Sequence, residues 1–387
     1  EVVILKEVLG HVPKISNKEY FLTLKMTVNE PQPLLDRGHE VAFEQFKMPV
    51  KYKKTMIAAV SGDALNYVEK NGQLSVFNNQ ISVVFSQKTG WLTAFDYQGK
   101  SLISPLVTQP FKANFWRAPT DNDLGNGLQK RAKIWQQAAS SLELVKISSV
   151  TVNSDTLITA LYSSELFAGS YKVNYQISVD GRMHISSELN LAKGQTLPDI
   201  PRMGMQLVMS GEYKFISWFG RGPHENYADR KTSAAIGLYQ STVEEQIHHY
   251  ARPQENANKT DVRWLAMKSQ VGSGLLVVGD QSLSVSAWPY LQQDIDFIAG
   301  IDGSASASGL VPVTSKHGAE LLKRDLVTVN IDNKQMGVGG DTSWGRLVHK
   351  EYRIPAQSYQ YGFTLVPFSQ GVDDNELGNM ARSVDKK

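Results

Sequence analysis

From Gln73 onward the chain reads as one β-strand after another, with almost no helical signal between them. Leu74-Ser-Val-Phe77, Ile81-Ser-Val-Val-Phe85 and Trp91-Leu-Thr-Ala-Phe95 come first. Leu157–Leu161, Tyr171–Ile177, Met183–Ser186, Met205–Val208, Gly274–Val278 and Leu326–Asn330 follow. Turn signals such as Asn78-Asn79, Thr89-Gly90, Val179-Asp-Gly181 and Ser210-Gly211 separate them. A strand-rich stretch of roughly 300 residues with no repeat and no internal linker predicts an all-β body, one very large antiparallel sandwich. The best helical candidate, Leu128 to Ala139, is expected to be a single surface helix.

Ahead of that body, Phe21-Leu-Thr-Leu-Lys-Met-Thr-Val28 alternates with period two, and Val41-Ala-Phe-Glu-Gln-Phe-Lys-Met48 follows as a second strand. These supply about half the strands of a seven-stranded sandwich. The predicted organisation is a partial sandwich over residues 1–55, a linker over 56–70, the large sandwich over 71–370 and a polar tail over 371–387. The chain opens Glu1-Val-Val-Ile-Leu-Lys6, without an initiator Met and unlike a signal peptide, so it reads as a piece of something longer.

Composition narrows the chemistry. In 387 residues the net charge is +2, and the positive side chains are scattered, so nothing points to nucleic acid. No run approaches the about 18 apolar residues of a membrane span. With no cysteine, disulfides and thiolate metal sites are both impossible. The compartment, periplasmic or cytoplasmic, stays open.

Four stretches have a different character. Met336-Gly-Val-Gly-Gly-Asp-Thr-Ser-Trp344-Gly345 packs four glycines into ten residues, too many for the interior of a strand or helix, and delivers a tryptophan. Phe115-Trp-Arg-Ala-Pro-Thr-Asp-Asn-Asp123, Trp218-Phe-Gly-Arg-Gly-Pro-His-Glu-Asn-Tyr227 and Arg252-Pro-Gln-Glu-Asn256 are turn-rich and carry hydrogen-bonding side chains. A flat apolar face together with carboxylates, amides and guanidiniums suits a sugar ring and its hydroxyls. The plain alternative is a loop whose tryptophan plugs the end of a sandwich.

Glycosidic hydrolysis needs two carboxyl groups. The local candidates are Glu225 and Glu255, each in a Pro-x-Glu-Asn setting, and each could equally accept local backbone N–H groups or pair with Arg230 or Arg263. A sugar epimerase would want a histidine beside a carboxylate, which His224 next to Glu225, with His248-His249, could supply. Asp121-Asn122-Asp123 offers hard oxygens that suit Ca²⁺, but Asx turns use the same residues and no metal is indicated. Gly125-Asn126-Gly127 reads as a flexible joint, a mobile loop or an ordinary surface turn.

Taken in order, the motifs at 115–123, 220–230, 253–256 and 336–344 resemble the C-terminal domain of the bacterial β-galactosidases of glycoside hydrolase family 2, the region that forms the small chain of split β-galactosidases. The resemblance covers residues 70–370. It implies a supersandwich similar to galactose mutarotases, preceded by the closing strands of an immunoglobulin-like domain at residues 20–48. It also implies that the catalytic glutamates lie on a TIM barrel absent from this chain, so that this part is inactive alone. Trp344 matches a tryptophan that walls the bound sugar, with Asp341, Arg117, Asp121 and Asn122 as accompanying binding residues. Gly125 and its neighbours match the start of a loop that moves near the site in some members. No cofactor is implied here; any Mg or Na of the parent enzyme would sit at its barrel. The implied partners are a β-galactoside, that barrel and neighbouring subunits. Two rival readings predict otherwise: a free-standing lectin-like module, and an aldose 1-epimerase.

Overall fold

The structure is a computed structural model that describes residues 10–53, 62–104, 110–299, 310–312, 317–342 and 345–384. The chain divides into two compact units, Glu1–Ala58 with Arg382–Asp385 and Ala59–Ala381 with Lys386–Lys387.

In the smaller unit the two expected strands form an antiparallel hairpin, Phe21–Thr27 against Glu40–Lys47, with Phe21 opposite Lys47. A short parallel pair joins Ile15–Ser16 to Lys51–Tyr52. No residue of the hairpin is buried, and Leu24, Met26, Val41 and Phe46 face solvent. A two-stranded ribbon has no interior of its own in which to bury apolar side chains.

The larger unit is all-β, as the strand pattern predicts. A five-stranded antiparallel sheet runs in sequence order from Asn66–Lys70 to Lys100–Ser101. A twelve-stranded antiparallel sheet carries Lys112–Asn114, Arg202–Ser210, Leu326–Gln335, Gly274–Trp288, Tyr359–Phe368, Met183–Leu191, Gly169–Ile177, Asp155–Ser164 and Glu143–Val152 side by side. Phe215–Gly222, Ala235–Thr242 and Lys259–Lys268 branch from Gly274–Trp288. That fifteen-residue strand changes partner along its length. Residues 274–279 pair with Tyr359–Phe368, residues 284–288 pair with Leu326–Gln335, and the sheet curls between them.

The core lies between the layers. On Gly169–Ile177, Tyr171, Val173, Tyr175 and Ile177 are buried, while the residues between them are half-exposed. Aromatics from the five-stranded sheet and its approach pack on this face: Phe85 meets Tyr175 edge-on at 4.9 Å, and Trp91, just ahead of the strand Leu92–Tyr97, stacks on Tyr162 of Asp155–Ser164 at 4.3 Å. Alternation of this kind fixes which face is core, since a one-residue slip would expose every aromatic.

Three local expectations need correction. The single surface helix expected over Leu128–Ala139 is instead two short ones, Leu128–Arg131 and Lys133–Ala138, broken at Ala132 (φ −111°, ψ 14°), and a further short helix, Asp121–Gly125, precedes them across Gly127 (φ 73°). Nor is it superficial, since Leu128, Trp135 and Ala138 are buried and the Trp135 indole donates to Pro198 O at 2.8 Å. Within the expected linker, residues 66–70 form an edge strand with every side chain exposed, so no burial alternation marks it. The polar tail contains the helix Asp374–Ser383, which buries Leu377 and Ala381, an i, i+4 pair on one face. Asp374 pairs with Lys268 at 3.1 Å. Among the described residues no helix is long and apolar enough to cross a membrane.

Candidate functional site

Beyond the strand Lys112–Asn114 the chain turns inward, and Phe115, Trp116, Arg117 and Ala118 are all buried. Arg117, 0% exposed, grips Asp123 with both edges of its guanidinium: Nε donates to Oδ2 at 3.0 Å and Nη2 to Oδ1 at 2.9 Å. The same guanidinium donates to Gly337 O at 2.8 Å and to Met336 O. Asp123 also closes a capping box, because its carboxylate accepts from Thr120 N–H while Thr120 Oγ1 accepts from Asp123 N–H. One carboxylate therefore starts the short helix and neutralises a buried cation, which otherwise carries a large desolvation cost.

The remaining side chains of this motif reach outward in different directions. Asn122 Nδ2 donates to Gly339 O at 2.9 Å and Arg346 O at 3.1 Å, and its Oδ1 accepts Gly345 N–H at 3.0 Å. Asn122 thus ties both arms of the glycine-rich loop. Asp121 is met by Gln254 Nε2 at 2.9 Å and by Arg252. From a third motif, Asp229 accepts Val338 N–H at 3.1 Å and Gly339 N–H at 2.7 Å. The four motifs, scattered over more than two hundred residues, meet in one hydrogen-bonded lattice around the loop 336–342 and 345.

The glycines are explained by this crowding at two positions. A Cβ on Gly337 would fall 2.6 Å from the Asp229 carboxyl carbon. Gly345, at φ +94°, lies so close to the chain that a Cβ would fall 2.2 Å from the carbonyl carbon of Gly125. Gly125 and Asn126 thus end a short helix against the loop, and Asn126 Oδ1 accepts from Arg131.

Glu225 and Glu255 are each committed to partners of their own. Glu225 accepts Ala257 N–H at 2.9 Å and the Tyr250 hydroxyl, and lies 3.6 Å from Arg230. Beside it, Asn226 N–H donates to Asn258 O and Asn258 Nδ2 to Asn226 O, so the two Pro-x-Glu-Asn segments lie together. His224 is exposed and sits 3.0 Å from Ser233 Oγ. His248 packs edge-on against Tyr250 at 4.3 Å.

Glu255 is sealed. Arg202 donates to it from Nη2 at 2.7 Å and to Asp332 from Nη1 at 2.6 Å, with all three side chains 0% exposed. The Arg202 guanidinium also lies 5.9 Å from the Trp288 ring. Arg202 Nε, Glu255 Oε1 and Asp332 Oδ1 are buried without a partner in the protein. One cation cannot neutralise two carboxylates. Burial pushes Asp332 up to about 8 against the pull of Arg202, with the Glu255 charge adding to the rise. Asp332 therefore keeps its proton at neutral pH. Arg202 and Asp332 escaped the sequence reading, each lying just outside the segments Met205–Val208 and Leu326–Asn330 that read as strands.

On the solvent side, Asp341 accepts from His349 Nε2 at 2.7 Å, and both are exposed. This hydrogen bond holds His349 above its ordinary value and Asp341 below its own. His349 too was missed, lying outside every motif. Ser343 and Trp344 lie outside the described residues. Of the five expected binding residues, Arg117 is inside the lattice, Asp121 and Asn122 tie its motifs together, and Asp341 stands at its surface. Among the described residues no three His, Asp or Glu side chains are placed to hold a metal. Asp121, Asn122 and Asp123 turn to three different partners.

Comparison with known proteins gives the following. Residues 77–365 match the family described as beta galactosidase small chain. The chain is 35% identical over 350 residues to a beta-galactosidase of Priestia megaterium, covering 90% of this chain and 32% of that protein. It is 31% identical over 372 residues to a beta-galactosidase of Vibrio cholerae, covering 92% of this chain and 33% of that protein. The chain thus spans about a third of the length of these curated relatives. Among solved structures, a galactose mutarotase related enzyme from Lactobacillus acidophilus aligns at 10% identity and a TM-score of 0.39, over 77% of this chain and 98% of its own.

Proposed function

The chain belongs to the beta-galactosidase small-chain family, and on that premise we propose that it serves a longer β-galactosidase of glycoside hydrolase family 2 by completing the sugar site that a separate catalytic barrel provides. The observation that carries this reading is the lattice itself. Arg117, Asn122 and Asp229 spend buried or half-buried polar groups on one glycine-rich loop, whose sequence also contains Trp344. Holding a loop this firmly makes sense where its tip must meet a ligand in a fixed pose, because positioning lowers the barrier by removing motion beforehand. A sugar ring stacked on an indole gains about 0.5–1.5 kcal/mol beyond burial, if aromatic pairs are a fair guide, which is too little for tight binding alone and enough to orient a galactoside held by other groups. Asp341 stands two residues after Gly339 and offers a carboxylate at the exposed edge of the same loop.

In this reading the carboxylates that cleave the bond, and any Mg or Na they need, belong to the barrel. Glu225 and Glu255 act as structural anchors. The chain's partners are that barrel, neighbouring subunits and the galactoside. Two assays test it. This chain, given a chromogenic β-galactoside, is expected to release no chromophore, and given α-galactose it is expected to leave the anomers at their uncatalysed rate. The longer enzyme carrying Trp344→Ala is expected to lose substrate affinity. Hydrolysis by the chain alone, or an unaffected Trp344→Ala enzyme, would overturn the proposal.

A further inference from the structure

A cleft of about 800 Å³ opens on the curled sheet, on the face turned away from the aromatic core. Its floor comes from the strands Asp155–Ser164, Gly169–Ile177, Met183–Leu191 and Tyr359–Phe368, which lie side by side. Because side chains alternate along a strand, burying Tyr171, Val173 and Tyr175 beneath the sheet places Lys172, Asn174 and Gln176 on this face. The neighbouring strands add Thr159, His184 and Ser186. The curl leaves these residues half-buried, where side chains on a flat sheet face would be exposed.

Two features single the cleft out. The first is a polar ladder across three strands: Thr159 Oγ1 donates to Asn174 Oδ1 at 2.9 Å, and Asn174 Nδ2 donates to Ser186 Oγ at 3.2 Å. The second is a histidine–carboxylate pair. Asp280 sits where the strand Gly274–Trp288 switches partners, and the bend brings its Oδ2 to 3.0 Å from His184 Nε2. Gly362 makes room for the pair, since a Cβ there would fall 2.3 Å from Asp280 Oδ2 and 3.2 Å from His184 Nε2. The other oxygen, Asp280 Oδ1, is buried with no partner in the protein. A buried carboxylate oxygen lacking a donor is costly, and a ligand hydroxyl would meet that need.

The lining decides the ligand class. The Asp280 carboxylate and the Lys172 ammonium in the lining are opposite in sign, so the cleft carries no net charge to draw an ionic ligand of either sign. A purely apolar one would strand the ladder's donors and acceptors. Neutral amides and hydroxyls, one acceptor carboxylate, one donor ammonium (Lys172), one imidazole and the apolar patches of Leu157 and Leu283 suit a compound with many hydroxyls on one side and C–H groups on the other. We propose that this cleft is a binding site for a neutral saccharide, with Asp280 and His184 holding adjacent hydroxyls and the Thr159–Asn174–Ser186 ladder reading the rest. This site is separate in its residues from the Trp344 loop, and its existence does not depend on how that loop is used.

The test is saturation-transfer NMR on this chain with lactose, galactose, maltose and cellobiose as neutral probes and galacturonate as the acidic control. At least one neutral sugar is expected to receive magnetisation and to shift the His184 ring resonances, with galacturonate silent. Asn174→Ala, a half-exposed position that leaves the core untouched, is expected to weaken binding about tenfold. Gly362→Ala, which drives a methyl into the Asp280–His184 pair, is expected to abolish it, and Trp344→Ala to leave it unchanged. Silence from every neutral probe overturns the proposal. So does binding of galacturonate alone, or binding that survives Asn174→Ala and Gly362→Ala at wild-type strength in folded protein. Binding lost only in Trp344→Ala would also overturn it, assigning the sugar to the loop.

Discussion

Arg117 and Arg202 are both buried to 0% exposure, and they are paired in opposite ways. Arg117 faces one carboxylate and two backbone carbonyls, and its Nε, Nη1 and Nη2 all have partners. Arg202 faces two carboxylates, leaves its Nε unpartnered, and sits beside an Asp332 that burial holds protonated at neutral pH. The first arrangement is charge-balanced and satisfied, which makes it a rigid tie between the helix at Asp121–Gly125 and the glycine-rich loop. The second carries one carboxyl too many and is sensitive to pH. Buried charge by itself therefore says little about function; the count of partners does.

The largest effect that could break this contrast comes from Arg117→Met. It strands Asp123 as a buried carboxylate and unpairs two carbonyls, so urea unfolding of the chain should show a loss of about 3–5 kcal/mol. A loss below about 1 kcal/mol would mean that the clamp is not the tie described.

Asp332→Asn sharpens the comparison through pH. The folded carboxyl titrates near 8 and the unfolded one near its ordinary value of about 4. Between those values the folded state holds a proton that the unfolded state has released, so wild-type stability falls as pH rises through the window. The amide cannot titrate. The variant should match the wild type below about pH 4 and exceed it by on the order of 5 kcal/mol near pH 8. Parallel stability curves for the two proteins across that window would remove the excess proton from the account.

Asn122→Ala tests the satisfied side more gently. Losing three half-exposed hydrogen bonds should cost about 1–2 kcal/mol and speed amide exchange at Gly345. Unchanged exchange there would show the loop to be held without it. The smallest effect belongs to the exposed Asp341–His349 pair. Asp341→Asn should return His349 toward its ordinary value, as read by NMR titration, with unfolding barely altered. The pair's contribution is present below the ordinary histidine value and fades as pH rises through the raised one. A His349 titration left where it was would assign the rise to something other than Asp341.

Much of this was legible beforehand where physics acts locally. Met183-His-Ile-Ser186 reads as a strand and is one, with Met183 and Ile185 buried and the residues between half-exposed, because one face of that sheet is core. The capping box and the Arg117–Asp123 clamp lie within six residues of each other, inside a motif that could be picked out whole. What stayed hidden depends on topology. Arg202 meets Glu255 across 53 residues and Asp332 across 130, and His184 meets Asp280 across 96, with no motif around Arg202, Asp332, His184 or Asp280. The edge strand Asn66–Lys70 buries nothing and so leaves no period. The helix Asp374–Ser383 hides its Leu377 and Ala381 in a polar sequence. Glycine density at 336–345 announced close backbone contacts and could not say with what; Asp229 and Gly125 are the answer.

The central claim is that the lattice exists to hold the glycine-rich loop for sugar binding, and Asp229→Asn tests it most directly in the longer enzyme. The substitution keeps the side chain's size and turns one acceptor oxygen, facing Val338 N–H or Gly339 N–H, into a donor. The account predicts kcat/KM for a β-galactoside lowered about tenfold, mainly through KM, with faster amide exchange at Gly339 and a melting temperature close to wild type. Faster exchange at Gly339 with unaltered kinetics would contradict it, because the loop would then be loose and the sugar site indifferent.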